Sequence, residues 1–140
     1  MTYKLTIHQK PTYLHAIIIG QNDRENVVRY LEEIRGECIA RSCFRVLVEE
    51  RLEGPRLGPM DVFRIALEGG SKASGTYKAF AYVDVNADSN LMQFAETVAI
   101  NRGVPVAVFS TVADAKRWLL SEDRKGTEPQ APADADKPRR

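Results

Sequence analysis

The stretch Tyr13-Leu14-His15-Ala16-Ile17-Ile18-Ile19-Gly20-Gln21-Asn22-Asp23-Arg24-Glu25-Asn26-Val27-Val28 passes from a β-rich run, through a turn, into a helical period. The run Tyr13 to Ile19 suits a pleated strand, and Gly20 to Asp23 supplies turn and capping residues. Asn22 and Glu25, three apart, have the spacing of a capping box, and Asp23 is a further acceptor for first-turn amides. Val27, Leu31, Ile34 and Cys38, joined by Val28 and Ile39, then keep one helical face apolar. Glu25 with Arg29 and Glu37 with Arg41 are i,i+4 pairs on the opposite face. A strand that leads directly into an amphipathic helix opens a strand-helix-strand unit, whose strands pair in parallel.

Upstream, Tyr3, Leu5 and Ile7 alternate with Lys4, Thr6 and His8, and a Lys10-Pro11 turn makes the first two strands a hairpin. Downstream, Phe44 to Val48 is a third strand, followed by a loop from Arg51 to Pro59 broken at Gly54-Pro55 and Gly58-Pro59. Asp61 is the expected N-cap of a short helix with Phe63, Ala66 and Leu67 on its apolar side, ending at Gly69-Gly70. Tyr77 to Val83 is a fourth strand. Asp88 or Ser89 caps a helix with Leu91, Phe94, Ala95 and Val98 inward, closed by Asn101-Arg102-Gly103. Val104 to Phe109 is a fifth strand, and Thr111 with Asp114 starts a last helix whose stripe is Val112, Ala115, Trp118 and Leu119. The expected fold is a single α/β domain with a mixed five-stranded sheet, an antiparallel N-terminal hairpin followed by βαβαβα.

At 140 residues the chain suits one hydrophobic core, and area scaling lets it bury about two-thirds of its unfolded surface. Its 44% apolar and 28% charged composition is that of an ordinary globular chain, and its apolar runs, Ala16 to Ile19 among them, are too short to span a bilayer. Twenty basic against nineteen acidic residues leave a net charge of +1, against the broad basic field of a general nucleic-acid binder. With no signal peptide in Met1 to Lys10 and only Cys38 and Cys43 for disulfides, the expected location is the cytoplasm. Residues 123–140 hold three prolines and nine charges but no aromatic or large aliphatic side chain, so residues 1–122 are the expected domain and the remainder a disordered tail.

The order of elements, the stretch Asn101-Arg102-Gly103-Val104-Pro105-Val106-Ala107-Val108-Phe109 and the closing Ala113-Asp114-Ala115-Lys116-Arg117-Trp118-Leu119 resemble the STAS-like family related to the sporulation anti-sigma-factor antagonist, over residues 1–120. The resemblance implies a non-enzymatic regulatory module that acts through contacts with another protein. Phosphorylatable members resemble one another in a Ser or Thr at the start of the helix after the central strand. This chain departs from that pattern: Phe44 to Gly70 contains no Ser, Thr or Tyr, so the phospho-switch does not transfer. Asp61 stands near that position, where it would be either a fixed negative charge or, more simply, the N-cap. The family's resemblance to lipid-exchange domains implies a rival reading, a carrier of an apolar small molecule with Phe63, Phe80, Phe94 and Trp118 as lining.

In open sheets of this kind ligands meet the carboxyl ends of the parallel strands, here Gly20 to Asp23, Glu49 to Arg51, Asp84 to Asp88 and Ser110-Thr111. The loop's guanidinium and apolar groups, with acids at adjacent strand ends, make Arg51, Arg56, Leu57, Met60, Asp61, Asp84 and Asp88 the candidate interaction surface. Glu49, Glu50, Asp84 and Asp88 come from adjacent strand ends, where shared burial would shift their pKa values; alternation sends Glu49 and Glu50 to opposite faces. A small hydrolase using Asp84 or Glu49 ranks last among the functions considered. His8 and His15, expected diagonally across the hairpin, are two ligands where a metal needs more, and both cysteines read as small buried hydrophobes. The expectation is therefore no enzyme, no cofactor, no metal and no nucleic acid. A homodimer through the first strand's edge is allowed, although Lys4 and Lys10 are edge-protecting charges.

Overall fold

A computed structural model describes residues 3–85 and 89–127. Strand β1 (Tyr3–Gln9) pairs antiparallel with β2 (Leu14–Gln21), and the Lys10 amide closes their turn on the Tyr13 carbonyl at 2.9 Å. Helix α1 (Arg24–Ala40) leads to β3 (Arg45–Glu53). Helix α2 (Pro59–Arg64), a π-helical turn (Ile65–Gly69) and the one-turn α3 (Gly70–Ala73) lead to β4 (Ala79–Val83). Helix α4 (Asn90–Asn101) leads to β5 (Val106–Phe109), and α5 (Val112–Thr127) follows. The sheet order is β1-β2-β3-β4-β5, parallel from β2 onward. This is the mixed five-stranded α/β domain expected.

Successive crossovers step the same way across the sheet, so a constant hand places α1, the α2-to-α3 segment and α4 on one face. That face carries the larger core: Leu14, Ala16, Ile18, Val46 and Val48 pack on Val27, Tyr30, Ile34 and Cys38 of α1, with Phe80 and Val106 beside them. On the other face Leu47, Ala79, Ala81 and Val83 meet Ala115 and Leu119 of α5. Burial on both faces explains why the central strands read as nearly continuous apolar runs.

Several local expectations are corrected. Strand β3 runs to Glu53 because Ile19, Gly20 and Gln21 continue the parallel ladder opposite Arg51, Leu52 and Glu53; Arg51 is thus a strand residue, not part of the loop. The cap of α1 is Asp23, which accepts the Asn26 amide at 2.9 Å, while the Asn22 side chain donates to the Pro55 carbonyl. Asp61 is not the N-cap of α2. Pro59, with φ already set for a helix, occupies the first turn behind Gly58, so the helix begins before Asp61.

Gly69-Gly70 does not end this segment either. Gly70 is buried with helical φ −63°, and a Cβ there would lie 3.1 Å from Arg102 Cβ. Its missing side chain permits a close approach to α4 instead of a stop. On α4 the inward residues are Met92, Ala95, Glu96 and Ala99, a face rotated from the expected one, and Phe94 is 49% exposed with its ring stacked on Phe63. Ser89 caps α4, accepting the Met92 amide at 3.1 Å; Asp88 lies outside the described residues. Thr111 caps α5, as expected, and that helix continues to Thr127, past the anticipated boundary at 122; residues 128–140 lie outside the described residues.

Candidate functional site

Along one face of β3, β4 and β5, helices α1 and α4 and the π-helical turn partly enclose a cavity of about 200 Å³. Val27 and Leu31 line it from α1, Ile65 and Ala66 from the π-helical turn, Ala95 and Ala99 from α4, and Phe80 and Val106 from the sheet. A π-helical turn widens the helix by one residue per turn and often marks a functional site; here it forms a wall of the cavity.

The polar groups gather around Glu50. Alternation along β3 puts Glu50 on the same face as Val46 and Val48, an acid in the position of a core residue. Tyr30 of α1 and Tyr82 of β4 both donate phenolic hydrogen bonds to its Oε2. Burial pushes the Glu50 carboxyl up to about 7, and nearby Asp84 pushes the same way, against the hydrogen bond from Tyr82 and the charge of Arg56. Burial also raises the Tyr82 phenol well above its ordinary value, and the Glu50 charge adds to this, so Tyr82 remains a proton donor in the hydrogen bond.

Asp84, immediately beyond β4, is 5% exposed. Its carboxylate accepts Arg56 Nη1 at 3.1 and 3.4 Å, and its amide donates to the Phe109 carbonyl at 2.9 Å. Glu96 turns from α4 to accept the Val108 amide at 2.9 Å, tying α4 to β5 at the cavity wall.

Of the residues anticipated from the sequence, Arg56, Leu57 and Asp84 line the cavity. Arg51 lies on the opposite face of the sheet, 2.8 Å from Glu49. Met60 is 62% exposed, and Asp61 pairs with Arg24 at 3.4 Å. The expected separation of Glu49 from Glu50 is observed. Glu49 binds His15 at 2.9 Å as well as Arg51; burial alone would raise its pKa, but these two hydrogen bonds hold it below the usual carboxylate range. His15 stays low because burial outweighs its bond to Glu49. Glu49 and Asp84 therefore do not share a site.

Tyr30 and Tyr82 were not anticipated as site residues. The available signal was Glu50 itself, charged in register with Val46 and Val48, and Tyr30, a hydroxyl-bearing residue on the stripe of Val27 and Ile34. His8 and His15 are directly opposed across the hairpin instead of diagonal, with ring centroids 6.3 Å apart. Among the described residues no group of three or more His, Cys, Asp or Glu side chains is placed to hold a metal ion, and no helix is long and apolar enough to cross a membrane. No protein-family model and no curated protein matches the chain.

Proposed function

We propose that the chain is a non-enzymatic binding module that holds a small, largely apolar molecule in the cavity beneath α1, the π-helical turn and α4. The observation that carries this reading is the cavity's composition. Aliphatic and aromatic walls surround a few convergent polar groups, Glu50 with its two tyrosines and the Arg56–Asp84 pair, which is the usual make-up of a small-molecule site. Close-packed interiors leave few voids larger than a water, whereas a cavity of about 150 Å³ already accommodates a benzene-sized molecule.

Native mass spectrometry of protein purified from its own host tests the reading. A bound mass that is released on denaturation is expected. The reading fails if the purified chain carries none and its melting temperature is unmoved by apolar probes of one-ring size. A second reading, the protein contact that the STAS-like resemblance implies, draws support from Met60 and Phe94. These two residues are exposed on α2 and α4, the helices joined by the stacked Phe63 and Phe94 rings, 5.9 Å apart. Met60→Asp with Phe94→Ser abolishes capture of a co-purifying protein on that reading and leaves it intact otherwise.

A further inference from the structure

The polar end of the cavity discriminates between kinds of ligand, an inference that rests on the small-molecule reading above. Both phenols that reach Glu50 donate to Oε2, and Oε1 accepts no hydrogen bond among the described residues. An acceptor in a partly enclosed, apolar cavity calls for a donor. Eight charged residues line the cavity, and five of them are acids.

Of the three bases that line the cavity, Arg56 is the one whose charge acts on Glu50, and it is engaged on the buried Asp84; Arg35 pairs with Glu32 at 3.5 Å while its buried Nε has no partner among the described residues, and Lys72 stands on α3. An anionic ligand placed at Glu50 would meet two carboxylates, Glu50 and Asp84, and would have to compete with the buried Asp84 for Arg56, which is unfavourable. A cation meets no such obstacle. Along the sheet side, Tyr77, Phe80 and Tyr82 form a row of rings, with neighbouring centroids 4.9 and 6.2 Å apart, whose faces attract positive charge.

We infer that the cavity takes a small organic amine, with a body the size of one aromatic ring and a single protonated nitrogen that donates to Oε1 of Glu50. The ring fills the space between Leu31, Ile65 and Phe80, and the ammonium forms a charge-assisted hydrogen bond at the floor. A proton competes with the amine for the same carboxylate, because Glu50 titrates at about 7. The groups that face Glu50 are Tyr30, Tyr82, Asp84 and Arg56. The remaining charges that line the cavity are Glu32 and Arg35 on α1, Glu68 on the π-helical turn, Lys72 on α3 and Glu96 on α4.

The test is calorimetric titration of the full chain at pH 8 with three ligands of one shape: 2-phenylethylamine, 2-phenylethanol and phenylacetate. The amine is expected to bind about tenfold or more tighter than the alcohol, as a charge-assisted bond adds over a neutral one, and phenylacetate weakest of the three. Amine affinity is expected to fall about tenfold per pH unit below 7, and alcohol affinity to stay level. Glu50→Gln is expected to remove the preference for the amine over the alcohol. Alcohol or phenylacetate binding as tightly as the amine overturns the inference and leaves the small-molecule reading standing. Failure of all three to bind overturns the inference, and, where the chain purified from its own host also carries no bound mass, the small-molecule reading with it. The comparison in the unaltered chain decides the matter even if the Glu50 variant does not fold.

Discussion

Glu49 and Glu50 are adjacent acids with opposite titrations, and the difference comes from the face of β3 each occupies. Glu49 meets Arg51 and His15, which stabilise its charged form, whereas Glu50 enters an apolar cavity whose phenols do not fully offset the loss of water. Their effects on stability are therefore opposite. Glu50 binds its proton more tightly folded than unfolded, so its contribution is present below about pH 4.5 and is lost as pH rises through about 7. At about 1.4 kcal/mol per pKa unit the loss is at most about 3–4 kcal/mol. The depressed pKa values of Glu49 and His15 act the other way, giving stability that is lost as pH falls. Urea unfolding at pH 5 and pH 8 is expected to show Glu50→Gln gaining on the unaltered chain as pH rises; parallel profiles for the two proteins would refute the burial of this carboxyl.

At the scale of elements, helix ends and close approaches set the geometry over the cavity. Ser89 satisfies the Met92 amide, so Ser89→Ala is expected to cost about 1 kcal/mol in chemical denaturation, with the loss of amide protection concentrated in the first turn of α4. The turn after α4 depends on Gly103, whose φ of +95° lies in the left-handed region. A Cβ there would stand 2.7 Å from Ser74 Oγ. Gly103→Ala is expected to destabilise by about 1–2 kcal/mol from backbone strain alone. Adding Ser74→Ala should relieve only the contact, so a double variant as stable as the original would disprove the conformational requirement. Gly70 shows the other use of glycine: its conformation is ordinary, and the lack of a side chain lets α3 lie against Arg102 and Ala99.

Across the whole molecule the two faces of the sheet are protected unequally. Several helices share the face with the cavity, while among the described residues α5 is the helix packed on the other, with Leu119 1% exposed at the centre of that contact. Leu119→Ala is expected to cost about 2–5 kcal/mol, and hydrogen exchange should show α5 losing protection ahead of α1. Uniform loss across both helices would mean that the faces unfold as one.

The strands, the helices and their order were legible in the sequence because each rests on local signals. Alternation marks β1, the Val27-Leu31-Ile34-Cys38 stripe marks α1, and Asn101-Arg102-Gly103 marks the end of α4. Readings that depended on neighbours were lost: Arg51 joined a strand because β2 extends beside it, Asp61 yielded the helix start to Pro59, and Phe94 turned out toward Phe63. The sequence alone thus determined a mixed α/β sheet, through period and turn chemistry that act over a few residues. Only the tertiary structure decided that Glu50 would meet tyrosines twenty and thirty-two positions away inside a cavity, because that meeting depends on how separate helices settle over the sheet.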